Sequence, residues 1–269
     1  MDALPFELVR AIAAHFARTC GPTALVAHFG VSRKLRAAAR ECFWADPRAW
    51  YVTRTHDDLV ACARLGPVRL DARGIWPDSA AHIPVTVREL CLRRFECAAA
   101  SGFSAPLTAL TICANGAAML TLAPLVAPPF LALRTLSITS CPNLRDVNPI
   151  VGLSALTDLA LRECWALRNL DALRYLPNLS ALDVSFARIE RTPELSTRLT
   201  TLRLHGCRYL ESIASLAALH NLADIDLSMC SRIADAAPLS ALTKLTRIRL
   251  MFCSPAIRAW GIARELLGT

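Results

Sequence analysis

Residues 156–164 read Leu-Thr-Asp-Leu-Ala-Leu-Arg-Glu-Cys, and residues 222–230 read Leu-Ala-Asp-Ile-Asp-Leu-Ser-Met-Cys. Both carry one frame: an apolar residue, two positions free, two apolar residues one position apart, two positions free, then cysteine. Alternation over the middle five residues is the mark of a short strand with one buried face. The same frame runs Leu133-x-x-Leu136-x-Ile138-x-x-Cys141, Leu179-x-x-Leu182-x-Val184-x-x-Ala187, Leu199-x-x-Leu202-x-Leu204-x-x-Cys207 and Leu245-x-x-Ile248-x-Leu250-x-x-Cys253. Upstream, Leu107-x-x-Leu110-x-Ile112-x-x-Asn115 fits fully, Val87-x-x-Leu90-x-Leu92-x-x-Phe95 in part, and Leu65-x-x-Val68-x-Leu70-x-x-Arg73 marginally. From the marginal copy onward the spacings are 22, 20, 26, 23, 23, 20, 23 and 23 residues.

A period of this length with this core resembles the leucine-rich repeat, in which each copy supplies one parallel strand and a return segment with further inward leucines. Leu167, Leu170 and Leu173 illustrate that return set. The resemblance implies an α/β leucine-rich-repeat solenoid over residues 65–253. The Asn-or-Cys position is a small buried side chain stacked on its counterpart in the next coil, so Cys141, Cys164, Cys207, Cys230 and Cys253 read as structural thiols. After Cys253, the apolar spacing from Pro255 to Leu267 reads as a short helix, and residues 254–269 as the cap that an open repeat end requires, with Trp260 in packing.

Composition agrees. The chain has 269 residues, 54% hydrophobic and 19% charged, which excludes wholesale disorder. Thirty basic against 22 acidic residues give a net charge of +8, carried almost wholly by arginine, since only Lys34 and Lys244 are lysines. The charge favours acidic partners without naming one, and with no clustered basic-aromatic surface it does not point to nucleic acid. Eleven cysteines, an odd number, with no secretory signal pattern, read as reduced thiols in a cytoplasmic setting. Leu8 to Arg40, with five arginines, a lysine and no acid, keeps organellar import as the alternative. The uncharged stretch from Cys97 to Leu133 is broken by Pro106, Pro124, Pro128 and Pro129 and does not read as a membrane span.

No catalytic or metal constellation stands out. There is no C-x-x-C pair, the six histidines form no ligand cluster, and no phosphate-loop, dinucleotide, serine-elbow or zinc-protease motif is present. No cofactor is expected. Alternation sends His205 outward while the frame sends Cys207 inward where the chain turns off the strand, and Asp224 and Asp226, on one strand face, have flanking arginines to pair with. Asn178-Leu179-Ser180 is a formal glycosylation sequon, but Leu179 belongs to the frame.

Residues between the frame leucines point to the open strand face. The column Cys91, Thr111, Ser137, Ala160, Asp183, Arg203, Asp226, Arg249 is small and neutral early and alternates in sign late. At a strand spacing of about 4.8 Å the last four are expected to pair in a row. Arg162, His205, Arg247 and Met251 share these strands, and Trp165, Phe186, Met229 and Phe252 fall near the rim. Aromatic residues, Met and Arg are what protein interfaces favour, so these twelve residues form the candidate partner face.

Residues 1–64 do not obey the repeat and read as helices. Leu4-Pro5-Phe6-Glu7-Leu8-Val9, then Ile12 and Phe16, Leu25 in a middle helix, Val31-Ser32-Arg33-Lys34-Leu35-Arg36 and Trp44 resemble an F-box, the helical module that docks on the Skp-type adaptor of cullin ubiquitin ligases. By that resemblance Leu4, Pro5, Leu8, Val9, Ile12, Leu25, Val31, Leu35 and Trp44 are adaptor-facing or helix-core positions. An F-box followed by such repeats resembles the ligase substrate receptors, whose repeat surface holds the substrate and whose chain carries no catalysis. The other reading is a structural scaffold, a fixed subunit of a ciliary or organellar ribonucleoprotein assembly, in which residues 1–64 only cap the array.

Overall fold

The computed structural model describes residues 51–53, 68–73, 83–93, 104–113 and 121–267. The nine F-box-like positions from Leu4 to Trp44 lie outside the described residues. The chain divides into two compact units, residues 1–113 and 114–269.

In the first unit four parallel strands follow in chain order: β1 (Tyr51–Val52), β2 (Arg69–Asp71), β3 (Glu89–Leu92) and β4 (Ala109–Cys113). Strand β1 stands upstream of Leu65 and adds a strand that the repeat frame did not include. The ladder aligns Tyr51, Leu70, Leu90 and Leu110. This corrects the marginal first copy. Leu70 stands at the position of Leu90, not of Leu92, and Ala72 takes the next inward place, while Val68 is exposed. A shift of two residues leaves every side chain on its own face, so alternation could not detect it; the hydrogen-bonded register decides.

The second unit holds β5 (Thr135–Thr139), β6 (Asp158–Arg162), β7 (Ala181–Asp183), β8 (Thr201–Arg203), β9 (Asp224–Asp226) and β10 (Arg247–Arg249), each parallel to the next. Leu136, Leu159, Leu182, Leu202, Ile225 and Ile248 fall in one register row, and all but Ile248 are buried. Every frame copy in this unit thus forms the strand expected of it.

The return segments follow a different period. From Cys141 the buried residues are Leu144, Val147, Ile150, Leu153 and Leu156, one in every three. Three residues per turn is the 3-10 helix, not the α-helix. Short 3-10 helices duly lie at Asn148–Gly152, Asp171–Tyr175, Ala214–Ala218 and Ala237–Ala241, with further ones at Ala123–Val126 and Pro128–Phe130. Five of the six start on a side-chain oxygen two residues back: Asp146 Oδ1 accepts from the Asn148 N–H at 2.8 Å, Asn169 Oδ1 from Asp171 at 2.7 Å, Asp235 Oδ1 from Ala237 at 2.8 Å, Thr121 Oγ1 from Ala123 at 3.2 Å and Ser212 Oγ from Ala214 at 3.5 Å. The coil from Leu179 to Leu199 is three residues shorter than its neighbours, one such turn, and it contains no 3-10 helix.

Helix α1 (Pro255–Leu267) closes the unit. Pro255 opens it, where a missing N–H costs nothing, and Ser254 Oγ accepts from the Ile257 N–H at 3.4 Å. Ile257 is fully buried, Trp260 donates its indole N–H to Ser240 Oγ at 3.3 Å, and a Cβ on Gly261 would stand 2.8 Å from Leu250 Cδ1. The helix therefore packs on the last coil. Among the described residues no helix is long and apolar enough to cross a membrane.

Candidate functional site

In the second unit the turn off each strand is built by a left-handed residue and a small frame residue after it, a thiol everywhere but at Ala187. Cys207 Sγ donates to the Val184 carbonyl at 3.4 Å, Cys230 Sγ to Leu204 at 3.1 Å and Cys253 Sγ to Leu227 at 3.4 Å, each reaching the coil before it. The five cysteines assigned to the frame are buried and form no disulfide, and the same holds for buried Cys91 and half-buried Cys113. Burial away from water disfavours the thiolate: it pushes Cys164 and Cys207 up to about 12 and Cys253 up to about 11, and it raises Cys230 further. These are protonated, inert groups and not nucleophiles.

The residue just before each of these positions has a positive φ: Ser140, Glu163, Phe186, Gly206, Met229 and Phe252, at 56° to 71°. Only one of the six is glycine. The left-handed turn lets the N–H of this residue cross to the next coil, as from Phe186 to the His205 carbonyl and Gly206 to the Ser228 carbonyl, both 2.8 Å, and Met229 to the Met251 carbonyl, 2.7 Å. At Gly206 the missing side chain has a second use: a Cβ there would stand 2.6 Å from the Phe186 ring. That ring lies over Gly206 and meets His205 edge-on at a centroid distance of 5.1 Å.

The strand face carries the charge. The expected row of pairs among Asp183, Arg203, Asp226 and Arg249 does not form. Asp183 is buried, bound by Arg162 Nε at 2.6 Å and by the Ser185 hydroxyl at 2.6 Å. Arg203, Arg247 and Arg249 all converge on Asp224, at 4.0, 3.2 and 3.1 Å. Asp226 instead accepts from the Ser228 N–H at 2.9 Å and lies 4.0 Å from His205 Nδ1. The reason is burial. Asp224 sits in the register row between Thr201 and Arg247 with its side chain 2% exposed, so it takes every guanidinium within reach to offset lost hydration.

The structure thus brings Arg203, His205, Asp226, Arg247, Arg249 and Met251 together on β8–β10 and their continuations. Phe186, Met229 and Phe252 follow at the left-handed turns, and Arg162 and Asp183 stand together toward β6. Trp165 is exposed beyond Cys164. Asp224, the centre of the arginine group, was legible only as a paired carboxylate; the signal for it was its register against three arginines. Beside Arg162 and Arg203 lies a depression of about 150 Å³ lined by Thr135, Asp158, Ala160 and Thr201. That is below the ~300–1,000 Å³ of a small-molecule pocket. A surface of this kind suits contact with a macromolecule.

Fold and strand face together define a leucine-rich-repeat structure. Comparison with known proteins agrees on the fold. No protein-family model matches the chain, and no curated protein does. Among solved structures 161 chains match. The leucine-rich-repeat domain of the type III effector XCV3220 (XopL) aligns over 95% of this chain and 97% of its own, at 17% identity and a TM-score of 0.51. Internalin C2 of Listeria monocytogenes aligns over 87% and 93%, at 17% identity and a TM-score of 0.50. TLR13, solved in complex with the RNA ssRNA13, aligns over 80% of this chain but only 37% of its own length, at 17% identity and a TM-score of 0.52.

Proposed function

We propose that this chain is a non-catalytic protein-binding module that works in the cytoplasm, and that a protein partner seats on the open face of β6–β10 and the turns that follow. One observation carries the reading: Met251 and Phe252, 66% and 76% exposed, stand together at the end of β10 beside Arg247 and Arg249. Large apolar side chains left in water next to arginine are costly on an isolated surface and are what an interface core is made of.

In the fuller form of the proposal the chain is a substrate receptor. Residues 1–64 dock on a Skp-type adaptor through the F-box-like positions Leu4 to Trp44, residues 65–253 present the binding face, and residues 254–269 cap the array. The support is the sequence resemblance of the opening Leu-Pro-x-Glu-Leu motif, together with a repeat array that offers a face and no reaction centre. Holding a substrate beside the ligase raises its effective concentration there.

The test is affinity purification of the tagged full chain beside Leu4→Ala/Pro5→Ala and beside Met251→Ala/Phe252→Ala, with mass spectrometry of the captured proteins after nuclease treatment. A receptor recovers adaptor and cullin that vanish in the first variant, and a further protein that vanishes in the second. One large assembly, unchanged in the first variant, makes the chain a scaffold subunit. Capture that is unaffected by the second variant refutes binding on this face. Loss of all capture on nuclease treatment would shift the partner to nucleic acid, the class bound by TLR13 in its solved complex.

A further inference from the structure

Resting on that reading, we infer that the segment seated on β8–β10 is an acidic protein segment whose carboxylates meet the Arg203–Arg247–Arg249 group and whose apolar side chains meet Met251 and Phe252. Three guanidiniums share Asp224, one carboxylate against three positive charges. The acids of this face lie beneath and the bases on top. The Asp224 and Asp226 side chains are 2% and 13% exposed, while those of Arg203, Arg247 and Arg249 are 41%, 67% and 46% exposed. An approaching partner therefore meets cations, although the strand sequences look balanced.

Asp224 also holds the forks in place. Arg249 Nη1 donates to Asp224 Oδ1 at 3.1 Å and Arg247 Nε stands 3.2 Å from Oδ2, which leaves other N–H groups of each planar fork toward solvent. A guanidinium already oriented by a buried carboxylate loses less side-chain freedom when it takes a second one. The apolar ground lies next to it on the same strand end, so the matching segment mixes acids with apolar residues. A nucleic acid strand would need a longer basic track with stacking rings along it; here Arg203, Arg247 and Arg249 cluster around one carboxylate with Arg162 apart on β6, and Phe252 lies past the strand ends.

The probe is a short fluorescein-labelled peptide alternating glutamate with leucine and phenylalanine, titrated with the full chain and read by fluorescence anisotropy. Its glutamine and lysine counterparts and a single-stranded RNA oligonucleotide run beside it. The glutamate peptide should bind about tenfold or more tighter than the glutamine peptide at low salt, and lose that margin as salt is added. Arg247→Gln and Arg249→Gln should each weaken it several-fold with the fold intact by circular dichroism. Arg168→Glu, an exposed arginine on a return segment, should not. Equal binding of the glutamate and glutamine peptides, no binding of the glutamate peptide at millimolar concentration, tighter binding of the RNA, or indifference to both glutamine variants overturns the inference. If the glutamate peptide fails while Met251→Ala/Phe252→Ala still abolishes capture of a cellular protein, the interaction face stands and only its acidic specificity falls.

Discussion

The buried thiols make the fold sensitive to alkali in a way that can be worked out beforehand. In the native state Cys91, Cys164 and Cys207 hold their protons up to about pH 12 and Cys253 up to about 11, with Cys230 shifted in the same direction, all because burial penalises the thiolate. In the unfolded chain the same groups ionise near pH 9. Between these limits the native state binds more protons than the unfolded one, so stability falls as pH rises; below the unfolded value it is complete. Going from about pH 8 to about pH 10 costs a little over 1 kcal/mol per thiol and roughly 7 kcal/mol for the five. Against a typical total of about 5–15 kcal/mol this is about half of the margin or more. The assay is urea unfolding by circular dichroism at the two pH values, under reductant, for the native sequence and for Cys207→Ala/Cys230→Ala. The double variant should be somewhat weaker at about pH 8, having lost two thiol hydrogen bonds, but should lose only about three-fifths as much on going to about pH 10. An identical alkaline loss in both proteins would refute the reasoning, and so would rapid reaction of these thiols with a disulfide reagent in the folded protein.

Asp224→Asn should destabilise by about 1–3 kcal/mol in chemical denaturation, because three guanidiniums lose their common carboxylate, whereas Arg247→Ala, removing a side chain that is two-thirds exposed, should cost under about 1 kcal/mol. Gly206→Ala should cost about 1–3 kcal/mol, from its positive φ and from the Phe186 ring; in a Phe186→Ala background the cost should shrink to the backbone part, and an undiminished cost would show that the ring yields freely. Phe252→Gly should leave stability unchanged or raise it by up to about 1 kcal/mol, since the left-handed turn prefers glycine and the ring is mostly in water, while partner capture is lost; a drop of more than about 1 kcal/mol by thermal melting would make the ring structural.

The repeat is legible in the amino-acid order alone. Frame leucines are separated by two in the strand and three around it, spacings set by backbone geometry alone, so each frame copy from Leu133 to Cys253 marks a strand and each cysteine a buried thiol. Where alternation is the only guide it leaves an ambiguity of two residues, and at the copy around Leu70 only the ladder sets the register. Which charges would pair was not legible either. The sequence offers Asp183, Arg203, Asp226 and Arg249 as a row, because neighbours in a column are equally spaced. Only the packed structure shows that Asp224 is the carboxylate deprived of water, and a buried charge draws in partners that an exposed one leaves to solvent. The left-handed turns under Phe186, Met229 and Phe252 were likewise hidden, since these residue types do not favour that conformation. It is imposed by the N–H that must cross to the next coil, and that demand exists only once the coils are stacked.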